Sequence, residues 1–323
     1  MTRRGAVMLI ALSGAALGVC ALRLLVGAGG LALPEDTDIL ALRGLRVLAG
    51  AGVGACLGLG GVLLQTLLRN PLASPDLIGP TAGAGLGVML AVYLAFVLLG
   101  EIGGLPAGAS LGALGGSLSA LVLVYGLSQR RGLIDPVTMV LVGVMLSVIA
   151  GAATLLLQGL LPDRGYTAAR WFLGGLSDDS SWTHAWGTLA VASCAVALAT
   201  WRAPMLDATL LSADEARSVG VPLGRVRVAL FGGAGVLAAA AVLLAGPVGF
   251  VGLVCPHAVR LIGGSSHRSL APGSALAGIV LVIGADTLIK SLDLASGRLP
   301  LGVVTALVGG PIFIALLLRE ARR

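Results

Sequence analysis

Long apolar stretches recur along this sequence, and each is long enough to cross a lipid bilayer as a helix. A helix needs roughly 20 apolar residues to cross about 30 Å of hydrocarbon. Hydrophobic residues make up 57% of the chain and charged residues 11%, whereas about a quarter of an ordinary globular domain is charged. The sequence therefore predicts an all-α polytopic membrane protein with about ten transmembrane helices, several of them broken or short. The predicted spans are residues 7–27, 46–67, 78–99, 107–128, 138–161, 184–201, 226–245, 248–263, 272–292 and 301–318.

Two polar segments that contain proline interrupt the apolar stretches. Hinge 1 is residues 68–80, LRNPLASPDLIGP, and hinge 2 is residues 245–261, AGPVGFVGLVCPHAVRL. Proline removes a backbone donor, and inside a membrane such breaks persist only where protein or a water-filled cavity satisfies the backbone. We therefore predict that both hinges border a pathway through the bilayer. The residues predicted to shape the hinges are Asn70, Pro71, Pro75, Gly246, Pro247, Pro256 and His257.

Both hinges resemble signatures of the FecCD family, the membrane-spanning permease subunits of ATP-driven importers for iron-siderophores, haem and vitamin B12. The resemblance continues in RWFLGGLS at 170–177, EARSVGV at 215–221 and LPLGVVTALVGGP at 299–311, in the order that the family has them. It covers almost the whole chain from about Arg43 onward. Because several long motifs occur in order, the resemblance is specific.

The resemblance implies the architecture and the partners of the chain. Residues 1–323 are expected to form one transmembrane permease domain of the BtuC-like type II importer kind, with an inverted repeat over approximately 46–161 and 226–318. The implied partners are a second copy of the chain or a close homologue, a cytoplasmic ABC ATPase dimer and an extracytoplasmic substrate-binding protein. The implied cargo is a metal chelate. Within the family a ferric siderophore is the favoured cargo, with haem and vitamin B12 as alternatives.

Nothing in the sequence can form a phosphate-binding loop of the G-x-x-x-x-G-K-[ST] kind. The chain has a single lysine, Lys290, and no glycine stands immediately before it. We therefore expect no enzymatic activity and no cofactor in this chain, with ATP and magnesium bound by the partner ATPase. The net charge of +6 calls for no nucleic acid, because anionic lipid headgroups account for it.

The distribution of basic residues predicts the orientation in the cell (inner) membrane, because short loops rich in Lys and Arg stay in the cytoplasm. With a cytoplasmic N-terminus, 14 of the 21 basic residues fall on the cytoplasmic side. Both termini are therefore predicted to be cytoplasmic. The 14 residues are Arg3, Arg4, Arg69, Arg130, Arg131, Arg202, Arg217, Arg225, Arg227, Arg260, Arg268, Arg319, Arg322 and Arg323.

The longest cytoplasmic connection, approximately residues 202–227, contains the signals of a complete short helix. Ser212 and Glu215 have the spacing of a capping box, and Gly220 supplies the left-handed residue that ends the helix. Such a short helix needs something to pack against, which is either the chain's own helices or a partner. The resemblance favours a coupling helix that docks on the ATPase. Its predicted residues are Leu211, Ser212, Asp214, Glu215, Ala216, Arg217 and Gly220.

Four of the basic residues predicted to face the outside are candidate docking residues: Arg43, Arg46, Lys290 and Arg298. By resemblance they are docking points for acidic residues of the binding protein, contacts that steer and orient a partner. The alternative is that they are helix-end side chains that extend to the membrane interface. Many FecCD proteins have an acidic residue at the position of Arg298, so that contact departs from the family pattern.

By resemblance, the fifth span and its start line the translocation pathway and its gate, with mirrored residues from a second subunit. Ser147 and Gly151 share a helical face with Thr154 at spacings of four and seven residues. Ordinary packing of small residues is an equally good explanation of this face. The predicted pathway residues are Asp135, Thr138, Gly143, Ser147 and Gly151.

Asp286 lies within the ninth predicted span, where an ionisable group is costly. It supports an alternative function, an ion-coupled secondary transporter that uses Asp286 as its proton or sodium site. No chain of acidic or histidine partners is visible in the other spans, so pairing with backbone or with a polar neighbour in the bundle is the favoured explanation. For His257, a structural hydrogen bond at the broken helix is expected.

Overall fold

The computed structural model describes residues 3–27, 30–100, 108–130, 133–161, 174–176, 181–292 and 299–320. In these ranges the chain forms α-helices, one 3₁₀ helix at Pro75–Ile78, and two short antiparallel ribbons. The ribbons pair β1 (Val26–Gly27) with β2 (Gly30–Leu31) and β3 (Gln129–Arg130) with β4 (Leu133–Ile134). The α-helices are α1 Arg3–Leu25, α2 Thr37–Leu68, α3 Pro80–Leu99, α4 Ala109–Leu127, α5 Pro136–Gly159, α6 Trp182–Trp201, α7 Ala203–Ala208, α8 Ala213–Ser218, α9 Leu223–Ala245, α10 Val251–Gly263, α11 His267–Ser291 and α12 Leu301–Glu320.

Each of the ten predicted spans corresponds to a helix. Eight helices are long and apolar enough to cross a membrane, and the shorter apolar helices are α10 and the Leu301–Pro311 part of α12. The prediction of an all-α polytopic membrane protein is therefore confirmed. Helix α2 begins at Thr37, well before residue 46, because the side chain of Asp36 accepts a hydrogen bond from the backbone N–H of Asp38 and caps the helix.

Helix α2 is the centre of the bundle and packs against α6, α9, α10 and α11. Along most of its length it is surrounded by protein. A Cβ atom on Gly54 would overlap the backbone of Gly278, and one on Gly58 would overlap the carbonyl of Ser274. Because lipid provides no hydrophobic force between helices, such close backbone approach supplies the packing energy. The glycines of α2 thus bring α11 into direct backbone contact with it.

Helices α3 and α4 form a second close pair, which α5 covers. Gly83 faces Gly116 and Gly87 faces Gly112, and a Cβ atom on any of the four would meet the partner's backbone. Two crossing points one helical turn apart fix the relative position of α3 and α4. This pair positions hinge 1, because α3 begins where hinge 1 ends.

Connections predicted to be cytoplasmic lie together at one end of the bundle, the inner end. There Arg69 Nε donates a hydrogen bond to the carbonyl of Thr209 at 3.1 Å, and Ser266 Oγ donates to Asp207 at 2.9 Å. The end of α1, the starts of α2 and α6 and the end of α11 form the opposite, outer end. The contacts between connections therefore agree with ten spans that run through the bundle in alternating directions.

Candidate functional site

The two hinges, far apart in sequence, meet beside α2. A Cβ atom on Gly252 of hinge 2 would lie 2.7 Å from Cδ of Pro75 in hinge 1, and a Cβ atom on Gly61 of α2 would overlap the carbonyl of Gly252. The buried side chain of Gln65, 2% exposed, joins them. Its Nε2 donates hydrogen bonds to the carbonyls of Ala73, at 3.2 Å, and Gly252, at 3.3 Å. One amide therefore connects both interrupted segments.

Proline explains why hinge 2 needs this donor. In a regular helix the carbonyl of Gly252 would accept from the backbone N–H four residues later, but that residue is Pro256, which has none. Buried carbonyls without a donor are costly in a membrane. Gln65 Nε2 supplies the donor, so α10 runs through Pro256 without a break in its assigned helix. The sequence predicted the interruption at Pro256 but not the glutamine that compensates for it.

Each hinge contains one non-glycine residue with positive φ, and these are the only two in the described residues. Arg69, at φ 49°, ends α2, and Phe250, at φ 69°, precedes α10. Non-glycine residues in this region of φ store strain, of order 1–3 kcal/mol each, and persist only where surrounding contacts hold them. Strain is thus concentrated at the two interruptions.

Hydrogen bonds between residues close in sequence stabilise hinge 1. The Asn70 side chain accepts from the backbone N–H of Leu72 at 2.9 Å, which forms a turn after α2. Asp76 accepts from the hydroxyls of Thr81, at 2.9 Å, and Ser74, at 3.3 Å. Desolvation raises the pKa of the Asp76 carboxyl, while these two hydroxyl bonds act in the opposite direction. Hinge 1 is an ordered turn.

Hinge 2 is held from its outer side by the short described segment at 174–176. Gly246 ends α9 with a φ of 62°, and Gly174, at φ 67°, lies so close to the carbonyl of Pro247 that a Cβ atom would overlap it. Gly175 N–H donates to the carbonyl of Ala245 at 2.8 Å. His257 is buried and lies edge-on to Phe313, with ring centroids 5.5 Å apart. Residues 170–173 of the same motif lie outside the described residues.

Helix α5 places the predicted pathway residues in different surroundings. Asp135 caps the helix, accepting from the backbone N–H of Thr138 at 2.9 Å and from its hydroxyl. Gly143 and Ser147 approach hinge 1, because a Cβ atom on Gly79 would lie 3.6 Å from the carbonyl of Gly143 and 3.8 Å from Ser147 Oγ.

The rest of α5 is largely uncovered in the single chain. Gly151 is exposed with no neighbouring atom near its Cβ position, whereas Thr154 is buried. The structure therefore places Ser147, Gly151 and Thr154, which were predicted to share one helical face, in different surroundings. Large apolar side chains are exposed along the remainder of the helix, namely Val137, Leu141, Val144, Met145, Val148, Ile149, Leu155 and Leu156.

The predicted helix of the cytoplasmic connection is present as α8, and its capping signals are confirmed. Ser212 Oγ accepts from the N–H of Glu215 at 3.3 Å, and Glu215 Oε2 accepts from the N–H of Ser212 at 2.9 Å. These bonds lower the pKa of the fully exposed Glu215 carboxyl. Gly220 adopts a φ of 81° after the helix, as the sequence predicted.

Helix α8 is anchored on one side only. Ala216 is fully buried and Val221 is buried as part of the main core, and the helix contacts α9. Its other residues are mostly exposed, with Asp214 and Arg217 forming a surface ion pair at 3.3 Å. The contacts show that α8 rests on its own chain and also presents an exposed polar face; docking of that face on an ATPase stays a prediction.

A polar network that the sequence did not predict ties α7 to α11 and α2. Asp207 accepts from the backbone N–H of His267 at 2.9 Å and lies 2.6 Å from its Nδ1, while His267 Nε2 lies 2.7 Å from the hydroxyl of Thr66. Partial burial raises the pKa of Asp207, but the hydrogen bonds from His267 and Ser266 outweigh it and the pKa is lowered. The carboxylate thus caps α11 and fixes the imidazole.

At the outer end, Asp286 is bound by two arginines. Arg23 Nε lies 2.5 Å from one carboxylate oxygen and Arg46 Nη2 lies 2.9 Å from the other. The expectation that Asp286 pairs with a polar neighbour agrees with this geometry. We call Arg23, Arg46 and Asp286 the outer ionic cluster; all three are buried, with exposures of 1%, 7% and 3%.

The outer ionic cluster corrects the docking prediction for Arg46. A side chain that is 7% exposed and bonded to Asp286 is not on a surface that a partner can reach. Arg43 is half-buried, and its Nη1 donates to the carbonyls of Leu24, Leu25 and Ala32, at 2.6, 3.2 and 3.0 Å. Arg43 therefore orders the connection between α1 and α2.

Of the other two predicted docking residues, only Lys290 lies in the described part of the chain. Lys290 is half-buried in the last turn of α11 at the outer end. Arg298 lies outside the described residues. In the part of the chain that the structure describes, no group of three His, Cys, Asp or Glu side chains could hold a metal ion.

These features define a class of protein: a polytopic helical membrane protein whose two interrupted helical segments meet in the bundle. A model described as the FecCD transport family matches residues 29–319. The chain therefore belongs to the FecCD family, and it is a permease subunit of an ABC importer. The sequence-based identification of the family is confirmed.

Individual relatives agree with this membership. Over 316 residues the chain is 38% identical to the vitamin B12 import system permease protein BtuC of Vibrio cholerae, covering 96% of this chain and 93% of that protein. Over 293 residues it is 36% identical to the cobalamin import system permease protein BtuC of Halobacterium salinarum, covering 90% and 76%. These relatives are named for vitamin B12, so they do not support the preference for a ferric siderophore.

Solved structures confirm the architecture. A metal-chelate type ABC transporter in an inward-facing conformation matches with a TM-score of 0.84 at 27% identity, covering 97% of this chain and 99% of that chain. PsaBC from Streptococcus pneumoniae, at a TM-score of 0.58 and 17% identity, supports the fold alone. The type II importer architecture is thus shown over almost the whole chain.

Proposed function

We propose that this chain moves a cobalamin-class metal chelate into the cytoplasm by alternating access, powered by a separate ATPase that binds ATP and magnesium. The relatives named for vitamin B12 or cobalamin support this cargo over a ferric siderophore. Both termini face the cytoplasm in this proposal. The functional unit is a dimer of the chain with two ATPase subunits and one extracytoplasmic binding protein.

The observation that carries the proposal is the exposed, capped helix α8. Six residues form a helix that is marginal alone, yet a reciprocal capping box and a left-handed glycine define both of its ends. Ala216 holds it on the chain, while Asp214, Glu215 and Arg217 face outward. A capped polar helix that is exposed at the inner end is suited to contact a soluble ATPase.

The hinges would convert this force into a change of access. Arg69, the strained residue of hinge 1, bonds to Thr209 in the connection that leads to α8. Gln65 joins hinge 1 to hinge 2, and Gly79 of hinge 1 contacts α5 near Gly143. A displacement of α8 therefore has a continuous route to both hinges. The exposed apolar face of α5 is proposed to line the pathway or meet the second copy.

An ion-coupled carrier that uses Asp286 is less well supported. Both carboxylate oxygens bond to guanidinium groups. A sodium ion or proton at Asp286 would have to displace or approach two positive charges in a buried site, which is electrostatically unfavourable. In the importer proposal, the outer ionic cluster joins α1, α2 and α11.

The proposal is tested by reconstituting the chain in liposomes with its ATPase and binding protein. We expect ATP-dependent uptake of cyanocobalamin and stimulation of ATP hydrolysis by the loaded binding protein. Uptake that persists after ATP depletion and stops on collapse of the proton gradient would favour the carrier. Failure of cyanocobalamin together with normal uptake of a ferric siderophore would correct the cargo only.

A double variant tests the coupling role of α8. Glu215→Ala removes half of the capping box, and Gly220→Val forces a β-branched residue to a φ of 81°. We expect normal membrane insertion and loss of stimulated ATP hydrolysis. The control is Gly232→Val, which adds the same side chain where no atom lies within 4 Å of the Cβ position. Normal coupling in the double variant would count against α8 as the docking element.

A further inference from the structure

A cavity of about 260 Å³ opens at the inner end between hinge 1, the end of α10 and the start of α11. It lies beside the residues that precede α8. Hinge 1 forms part of its wall, and neither α5 nor α8 contributes a lining residue. The lining residues that determine its chemistry are Gln65, Thr66, Arg69, Arg260 and His267.

The charge of this cavity has one sign. Arg69 and Arg260 contribute guanidinium groups, and no lining residue is acidic. The nearby carboxylate of Asp207 is engaged on the far side of the imidazole, by the His267 backbone and ring and by Ser266. Guanidinium groups bind phosphate oxygens in a fixed, multiply bonded geometry. The cavity is therefore suited to an anion.

Buried side chains form the deep wall of the cavity, and hydrogen bonds fix their orientation. Gln65, Thr66 and His267 are 2%, 3% and 1% exposed. Thr66 and His267 bond to each other, and Gln65 Nε2 is fixed by the carbonyls of the two hinges. This orientation leaves Gln65 Oε1 as a buried acceptor with no hydrogen-bond partner among the described residues. Buried acceptors of this kind call for a donor.

These two features together specify the ligand. The arginines attract an anion, and Gln65 Oε1 can accept a hydrogen bond, so a ligand that has both negative oxygens and a hydroxyl would use both features of the cavity. A phosphate group that carries a hydroxyl has both. Sulfate has the charge but no donor at neutral pH. The pattern thus distinguishes between two anions of similar size and charge.

Size supports a small group. A water molecule occupies about 30 Å³ of liquid, so the cavity holds a phosphate with several waters. Pockets for drug-sized ligands begin at about 300 Å³, so a cavity of about 260 Å³ is too small for a metal chelate such as the proposed cargo. The ligand of this cavity is therefore not the transported molecule.

We propose that the inner-end cavity binds a hydroxyl-bearing phosphate group, either hydrogen phosphate from the cytoplasm or the headgroup of a phospholipid such as phosphatidylglycerol. Basic pockets between helices on the cytoplasmic side are a known setting for anionic headgroups. Arg69 bonds to Thr209 through Nε, so its terminal nitrogens can turn toward the anion. Occupancy would then strengthen the link between hinge 1 and the segment before α8.

The test uses the full chain in nanodiscs and follows thermal unfolding. In phosphatidylcholine nanodiscs, inorganic phosphate and sulfate are titrated at constant ionic strength. In a second arm, phosphatidylglycerol replaces part of the lipid in the absence of phosphate. A saturable stabilisation by phosphate and not by sulfate identifies the free anion. Stabilisation by phosphatidylglycerol alone identifies the headgroup.

Variants show whether the effect arises in the cavity. Arg260→Gln is expected to weaken the stabilising ligand at least tenfold, and Arg260→Lys to weaken it less, because the charge is kept. If Arg260→Gln does not fold, the exposed Arg69→Gln serves instead. The control is Arg225→Gln, an exposed arginine of the same predicted side that does not line the cavity.

Three results would overturn the proposal. The first is the absence of stabilisation by both phosphate and phosphatidylglycerol. The second is equal stabilisation by sulfate and phosphate, which removes the role of Gln65 Oε1. The third is an equal loss of ligand-dependent stabilisation in Arg225→Gln and Arg260→Gln, which would show a general attraction of the anion to a basic surface. The readout needs neither cargo nor ATPase, so it stands or falls independently of the transport proposal.

Discussion

The outer and inner ends of this bundle are held together by different kinds of interaction. At the outer end, the fully engaged carboxylate of Asp286 joins α1, α2 and α11 through two buried arginines. At the inner end, α7 and α8 have six residues each; the partly exposed carboxylate of Asp207 joins α7 to α11 by hydrogen bonds, and the packing of Ala216 anchors α8. Buried charged side chains make the contacts at the outer end, whereas partly exposed segments make those at the inner end.

The difference indicates which end can move. Removing one partner of a buried ion pair leaves an uncompensated charge, so such clusters resist rearrangement. Short helices with few buried residues open locally at low cost. Between the ends, Gln65 connects the two hinges through neutral hydrogen bonds. Motion that begins at α8 would therefore spread through the hinges and stop at the outer ionic cluster.

Asp286→Asn should give the largest loss of stability. The amide keeps the shape but leaves Arg23 and Arg46 buried without a counter-charge, a change that typically costs about 3–5 kcal/mol. Thermal unfolding in detergent measures it. The control at the same end is Asp38→Asn, an exposed residue in the first turn of α2, where the loss should stay below about 1 kcal/mol. If both variants lose the same small amount of stability, the ion pairs of Asp286 do not stabilise the outer end.

Gln65→Leu should destabilise the centre of the bundle next most strongly. Leucine has a similar volume but leaves the carbonyls of Ala73 and Gly252 without their donor, and each buried unsatisfied group costs about 1–3 kcal/mol. Hydrogen exchange should show faster opening of hinge 1 and α10 together. Gln158→Leu on α5 makes the same change away from the hinges and should leave them unaffected. Opening of one hinge alone would show that Gln65 does not couple them.

The sequence predicted the local features of both ends well. Apolar length located the ten apolar helices of the described residues, and the spacing of Ser212, Glu215 and Gly220 predicted the capped helix α8 and its left-handed end. These features depend on residues within one or two helical turns. Local physical rules therefore carry the prediction from sequence to structure without knowledge of the rest of the fold.

The contacts between distant segments could not be derived in the same way. Arg23 and Asp286 are 263 residues apart, and Arg46 and Asp286 are 240 apart. A signal existed, since opposite charges stood near the same end of different predicted spans, but many pairings of spans were compatible with it. Gln65 gave no signal at all, because one amide in an apolar helix does not reveal which carbonyls lack donors.

Packing between α2 and α11, the helices joined by the outer ionic cluster, is tested by two glycines of α11. Gly278→Ala places a Cβ atom into the backbone of Gly54 and should cost about 1–3 kcal/mol through overpacking. Gly284→Ala, with no atom within 4 Å of the new Cβ, should be neutral or stabilising by up to about 1 kcal/mol. Thermal unfolding of the pair distinguishes direct backbone contact from general intolerance of the helix.

Ser212→Ala should have the smallest effect and should act at the inner end alone. It removes the hydroxyl that accepts from the N–H of Glu215, and loss of such a cap costs typically about 1 kcal/mol. Amide exchange in α8 should become about fivefold faster while global unfolding stays nearly unchanged. Ser218→Ala removes a hydroxyl at the other end of α8 and should leave exchange of the first turn unaltered. If Ser212→Ala instead lowers global stability as much as Asp286→Asn does, the inner end is not the softer of the two.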